Sequence, residues 1–280
     1  MRRLRAQRGR APDREWSLEV DGHRLHVEEH GPADAPPLVY LHGLLLSSRL
    51  NRALARELVE RGHRVVLLDL LGHGRSDKPA SAHRYRFDVF PAQVVALLDR
   101  LDRDDVVLGG VSLGAQVALW TGVQHPDRLR GLVLEMPVGE LGTPFADAVF
   151  IPMMLAARYV PLPFRVASAL AGLVPSTGTW GDGSLDALAQ QPETVSAVLH
   201  GLLVGPIMPP LADRRAMAVP SLVVTHDGDP LHPARDARAL ARALPDARVV
   251  AGRVFGDLRL RPGALADAVG GFADEVRGRA

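Results

Sequence analysis

One segment constrains this chain more than any other. Val106-Val-Leu-Gly-Gly-Val-Ser-Leu-Gly-Ala115 sets a β-branched run directly against a helix-spaced run. The two meet in Gly110-x-Ser112-x-Gly114. A residue held on so sharp a strand-to-helix turn has a strained backbone. Side chains two positions before and after it would collide with the neighbouring strand and helix, so glycine is needed at both places. The hydroxyl of Ser112 then stands clear of the sheet at the positive end of a helix dipole.

The segments around that turn alternate. Trp16 to His30 reads as a β-hairpin turning at Asp21-Gly22. Pro37 to His42, Arg64 to Leu70, Asp105 to Gly109 and Leu129 to Met136 read as buried strands. Helical spacing runs through Ser48–Arg61, Phe87–Leu101 and Gly114–His125. This rhythm implies right-handed crossovers and a doubly wound α/β fold around a mostly parallel, eight-stranded sheet. It breaks at Pro137. From 137 to 219 there are apolar helical stretches, Phe145–Tyr159, Phe164–Leu173 and Leu185–Leu203, and no strand pattern, as expected of an inserted helical cap. The core resumes at Pro220–Thr225, with a helix over Ala234–Leu244, a strand over Ala247–Val250 and a closing helix from Pro262 to Arg277. The core is therefore expected over 16–136 and 220–280.

The chain has 280 residues, 47% of them hydrophobic and 23% charged, enough to bury a core without staples. It contains no cysteine, which excludes disulfides, a thiolate nucleophile and cysteine metal ligands. Its 33 basic and 32 acidic residues leave no field that favours nucleic acid. The arginine-rich first fifteen residues lack the apolar core of a signal peptide and read as a basic, disordered terminus. No apolar run reaches the ~18 residues of a membrane span, so no stable membrane insertion is expected. Location in the cytoplasm is the matching expectation.

Several ordered motifs resemble the α/β-hydrolase fold superfamily, in its cap-bearing esterase, lipase and epoxide-hydrolase-like branch. They are Leu41-His42-Gly43, Asp69-Leu-Leu-Gly-His-Gly-Arg-Ser-Asp77, the turn at Ser112, His125-Pro-Asp-Arg128, and Asp229-Pro-Leu-His-Pro233. The resemblance implies Ser112 as nucleophile and Asp229 as the acid that steadies a histidine. It implies the amides of Leu44 and Leu113 as an oxyanion hole. It also implies a histidine after the eighth strand, and here the chain departs from the family. No histidine follows His232, and the matching place falls at Phe255 or Asp257. A serine hydroxyl needs a base. His226 and His232 flank Asp229 and are the substitute candidates. His42 and His73 read as loop-holding residues, and His200 as a polar-face residue of the cap. Asp227 competes with Asp229, and Glu135, ending a strand, is a displaced acid that could also face the site.

The cap's Met and Phe residues tilt the expected partner toward a small hydrophobic substrate or ligand. No cofactor and no metal are expected, because Gly72-His-Gly-Arg-Ser lacks a phosphate-loop ending and no His/Asp/Glu spacing suggests a metal. Two readings follow. One is a serine hydrolase acting on a carboxylic ester or related acyl compound. The other is a non-hydrolytic member, a ligand-binding pseudoenzyme or a cyclase- or lyase-type catalyst, motivated by the absent histidine.

Overall fold

The computed structural model describes residues 11–174, 181–252 and 257–278. Eight strands form one sheet: β1 (Arg14–Val20), β2 (His23–His30), β3 (Pro37–Leu41), β4 (Arg64–Leu68), β5 (Val106–Val111), β6 (Leu129–Glu135), β7 (Ser221–His226) and β8 (Ala247–Gly252). Their order is β1-β2-β4-β3-β5-β6-β7-β8. β1 and β2 pair antiparallel, as do β2 and β4, and every later pairing is parallel. β3 and β5 are buried along their whole lengths, which is why they read as unbroken apolar runs.

Helices cover both faces: α1 (Arg52–Glu60), α2 (Pro91–Leu101), α3 (Leu113–Gln124), α9 (Ala234–Ala243) and, after the short α10 (Asp257–Leu260), α11 (Pro262–Gly278). Alternation along the strands divides the core between them. Leu38, Tyr40, Val107 and Val133 point toward α1 and α11, and Val39, Leu41, Leu108 and Leu132 toward α2, α3 and α9. Pro91 occupies the first turn of α2, so that helix starts four residues later than its apolar spacing suggests.

Between β6 and β7 lie α4 (Thr143–Tyr159), α5 (Leu162–Ala171), α6 (Gly181–Leu188), α7 (Pro192–Val204) and α8 (Leu211–Ala216), with no strand among the described residues. Several core side chains fasten this cap, Asp236 and Gln116 among them. Asp236 of α9 accepts from the amides of Gly139, Leu141 and Gly142 where the cap begins. Gln116 of α3 donates to the carbonyls of Val138 and Ile207, tying its entry to its exit.

One correction concerns the N-terminus. Arg14 and Glu15, expected within the disordered first fifteen residues, are the first residues of β1 and pair with Glu29 and Glu28. The pairing extends further, because Asp13 donates its amide to the Glu29 carbonyl, and its side-chain carboxylate accepts the amide of Gly31. Backbone pairing outweighs the polar composition that suggested fraying. Residues 1–10 lie outside the described residues.

Candidate active site

Ser112 joins β5 to α3 with φ 54° and ψ −111°, a left-handed backbone costing about 1–3 kcal/mol for a residue other than glycine. Neighbouring bonds hold it there. Its amide donates to the Glu135 carbonyl at 2.9 Å, and its carbonyl accepts from the amide of Gln116 at 3.1 Å. The flanking glycines permit the approach. A Cβ on Gly110 would lie 2.4 Å from the carbonyl carbon of Gly114. One on Gly114 would lie 2.7 Å from the Leu41 carbonyl oxygen and 2.8 Å from that of His42.

A partner for the Ser112 hydroxyl comes from the loop after β7. His232 Nε2 lies 2.9 Å from Ser112 Oγ, and its Nδ1 lies 2.6 Å from Asp229 Oδ2. An ionised carboxylate can only accept, so Nδ1 carries the proton and donates it to Asp229. The Nε2 lone pair is then left to accept from the serine hydroxyl. Asp229 Oδ1 also accepts the amides of Leu231 and His232, at 2.8 and 3.2 Å. This is an Asx-type turn, a local device that bends the chain back within three residues. It brings acid and imidazole onto one loop. Burial pushes the Asp229 carboxyl upward, but the His232 ring and the two amides outweigh that and hold it below the usual carboxylate range.

The other candidates are placed elsewhere. His226 borders the same cavity, with Nε2 against the Met136 sulfur. Asp227 is exposed and faces Arg238 across 3.5 Å. His42 donates through Nδ1 to the Gly43 carbonyl and accepts the Leu70 amide at Nε2, with its ring 4.9 Å from that of His73. Burial pushes both imidazoles below their ordinary value, as suits neutral rings that hold loops. His200 is exposed on α7. Phe255 and the side chain of Asp257 lie outside the described residues.

Glu135 is engaged in a second buried cluster. It accepts the Tyr40 hydroxyl at 2.7 Å and a two-pronged contact from Arg259, whose Nη1 also donates to Asn51. Burial alone would lower the Arg259 guanidinium, but the Glu135 charge outweighs it and raises it. Sequence reasoning missed Arg259, although it falls in the segment after β8 where a histidine was sought.

Ser112 and His232 open into a cavity of about 450 Å³, within the range of small-ligand sites. Its walls are mostly apolar and include Leu44, Leu113, Phe150, Met153, Leu199 and Ile207. Leu113 is the first residue of α3, so its amide has no acceptor inside the helix. Among the described residues one group, Glu15, His26 and Glu28, could hold a metal ion, and none of the three borders this cavity. Arg52 already donates twice to Glu28, at 2.6 and 2.8 Å.

A family model described as alpha/beta hydrolase fold matches residues 36–160. An esterase from Thermogutta terrifontis superposes with a TM-score of 0.75 over 94% of this chain and 99% of its own, at 22% identity. The enol-lactonase from Burkholderia xenovorans LB400 does so with a TM-score of 0.73 over 94% and 100%, at 19% identity. The chain has the α/β-hydrolase fold. A haloalkane dehalogenase of Mycolicibacterium paratuberculosis is 33% identical to this chain over 215 residues. That match takes in 75% of this chain but 64% of the dehalogenase, so the chain spans less than two thirds of the relative.

Proposed function

We propose that this α/β-hydrolase is a serine hydrolase that cleaves a carboxylic ester or related acyl bond in a small hydrophobic substrate. The observation that carries the reading is the continuous path from Asp229 through His232 to the Ser112 hydroxyl, 2.6 and 2.9 Å long in its two steps. In this reading His232 takes the serine proton as Oγ attacks the carbonyl carbon, and returns it to the departing alcohol. Water then attacks the acyl-serine with the same imidazole as base. Asp229 keeps the imidazole in its reactive tautomer and stabilises the imidazolium. The amides of Leu44 and Leu113 would face the tetrahedral oxygen, each worth about 3 kcal/mol where water is excluded. Apolar walls suit an apolar acyl or alcohol group.

The nucleophile also argues against dehalogenation. Displacement of a halide by serine would leave an alkyl ether, which offers no carbonyl for water to attack. A carboxylate nucleophile would leave an ester, which water can cleave. Ser112 therefore favours acyl over alkyl transfer. The non-hydrolytic reading is motivated by the absent histidine after β8, and the contact of His232 with Ser112 supports the hydrolytic one instead.

The test is turnover of short-chain aryl esters, with labelling by a fluorophosphonate probe, in wild type and Ser112→Ala. The expected result is labelling and turnover in wild type alone. Turnover that survives Ser112→Ala would defeat the reading.

A further inference from the structure

A second cavity, of about 550 Å³, lies between α8, α9 and the two segments that join the cap to the core. It adjoins the catalytic cavity across those segments. Val138 and Ile207 border the cavity at Ser112, and the residues that follow them, Gly139 and Met208, border this one. Four arginines line it: Arg214 of α8, and Arg235, Arg238 and Arg242 of α9. The three on α9 stand at i, i+3 and i+7 and so share one face of the helix, where like charges repel. Arg235 also sits in the first turn, at the positive end of the helix dipole. Arg238 faces Asp227 across 3.5 Å, both side chains exposed. Among the described residues no acid lies within ion-pair distance of Arg214, Arg235 or Arg242.

Arg214 is the most telling of the four. Its side chain is half-buried. Its Nη1 lies 3.5 Å from the Met208 sulfur, a weak acceptor, and its Nε is buried with no partner among the described residues. A guanidinium carries five N–H donors, so most of this one is unsatisfied at a cavity wall. The acids on the same wall are Glu140 and Asp236, and Asp236 already accepts three amides. Four arginines against these two acids leave two positive charges in excess, which the exposed Asp227 offsets only loosely. Met208, Leu211 and Leu240 make the wall apolar between the charges.

We propose that this cavity binds a small organic phosphate, at a site separate from Ser112. A phosphate monoester carries about −1.5 to −2 charges at neutral pH and three strong acceptor oxygens, which match the excess charge and the guanidinium forks. Its organic group would lie on Met208, Leu211 and Leu240. Arg214, half-buried within the cleft, is within reach of a small ligand and not of a flat macromolecular surface. Because the same connecting segments border both cavities, the bound phosphate would brace the cap where it joins the core.

The experiment is calorimetric titration of the full chain, in a phosphate-free buffer of low ionic strength, with phenyl phosphate and with inorganic phosphate. The proteins are wild type, Ser112→Ala, Arg214→Gln, Arg235→Ala/Arg242→Ala, and a charge-matched control, Arg56→Ala/Arg158→Ala, whose residues do not border the cavity. Circular dichroism checks folding. Wild type, Ser112→Ala and the control pair should bind phenyl phosphate saturably and alike. Inorganic phosphate should compete but bind about tenfold more weakly, since it lacks the apolar group. Arg214→Gln and the α9 pair should each weaken phenyl phosphate about tenfold or more. If Arg214→Gln unfolds, the α9 pair decides, because its side chains are exposed. No saturable binding by wild type at millimolar phenyl phosphate overturns the proposal, and so does undiminished binding by the folded α9 variant. An equal loss in the control pair would reveal general ionic attraction and overturn it as well. Binding lost in Ser112→Ala would place the ligand in the catalytic cavity instead, and inorganic phosphate bound as tightly as phenyl phosphate would refute the organic class.

Discussion

The Glu135–Arg259 pair offers a stability prediction whose size follows from burial. The Glu135 side chain is 2% exposed and that of Arg259 7%. Glu135→Ala would leave the guanidinium bonded to Asn51, without its carboxylate, and would strip the Tyr40 hydroxyl of its acceptor. Breaking one side of a buried ion pair costs about 3–5 kcal/mol. The orphaned hydroxyl adds about 1 kcal/mol. Against the roughly 5–15 kcal/mol that holds a domain together, this is a large share. Removing both charges differs in kind, because no uncompensated ion stays behind. Glu135→Met/Arg259→Met should therefore be at least about 2 kcal/mol more stable than Glu135→Ala. Urea unfolding followed by circular dichroism measures all three proteins. The reasoning fails if Glu135→Ala lies within about 1 kcal/mol of wild type, or if the double variant is no better than the single.

Asp229→Asn should lower kcat for an aryl ester by roughly 10³–10⁴ with little change in KM, because the amide disturbs the tautomer that leaves Nε2 free; steady-state kinetics reads this. Burial pushes the Glu28 carboxyl upward, but His26, His30 and Arg52 outweigh that and hold it far below its usual range. Its contribution is thus complete above the unfolded value of about 4.3 and drains away as pH falls through the depressed folded value. In urea titrations Glu28→Gln should be clearly destabilising at pH 7, and the gap to wild type should narrow as the medium becomes strongly acidic. Gly114→Ala puts a methyl group 2.7 Å from the backbone oxygen of Leu41, so it should cost about 1–3 kcal/mol and slow fluorophosphonate labelling.

The fold was legible because its signals are local. β3 and β5 are buried throughout, and their apolar runs say so. The two glycines around Ser112 announce a close approach that each side of the turn requires. The base was only half legible. His226 and His232 stand three residues either side of Asp229 in sequence and could not be separated by spacing. What separates them is the pair of amides that Asp229 gathers, which curls the loop so that His232 faces Ser112. An Asp followed two and three residues on by available amides is a turn signal, and weighing it would have favoured His232. Arg259 could not be read at all. Its partner Glu135 lies 124 residues away, and only the packed fold brings the two together. The start of β1 at Arg14 was hidden for a similar reason, since charged side chains on an edge strand look like a frayed end.

The most direct trial of the account compares fluorophosphonate labelling rates in His232→Ala and His226→Ala at neutral pH. Both side chains border the cavity, and His232 meets the Ser112 hydroxyl. The account predicts a loss of roughly 10³-fold or more for His232→Ala and a change of no more than about threefold for His226→Ala. Rapid labelling of His232→Ala, or a collapse confined to His226→Ala, would contradict it.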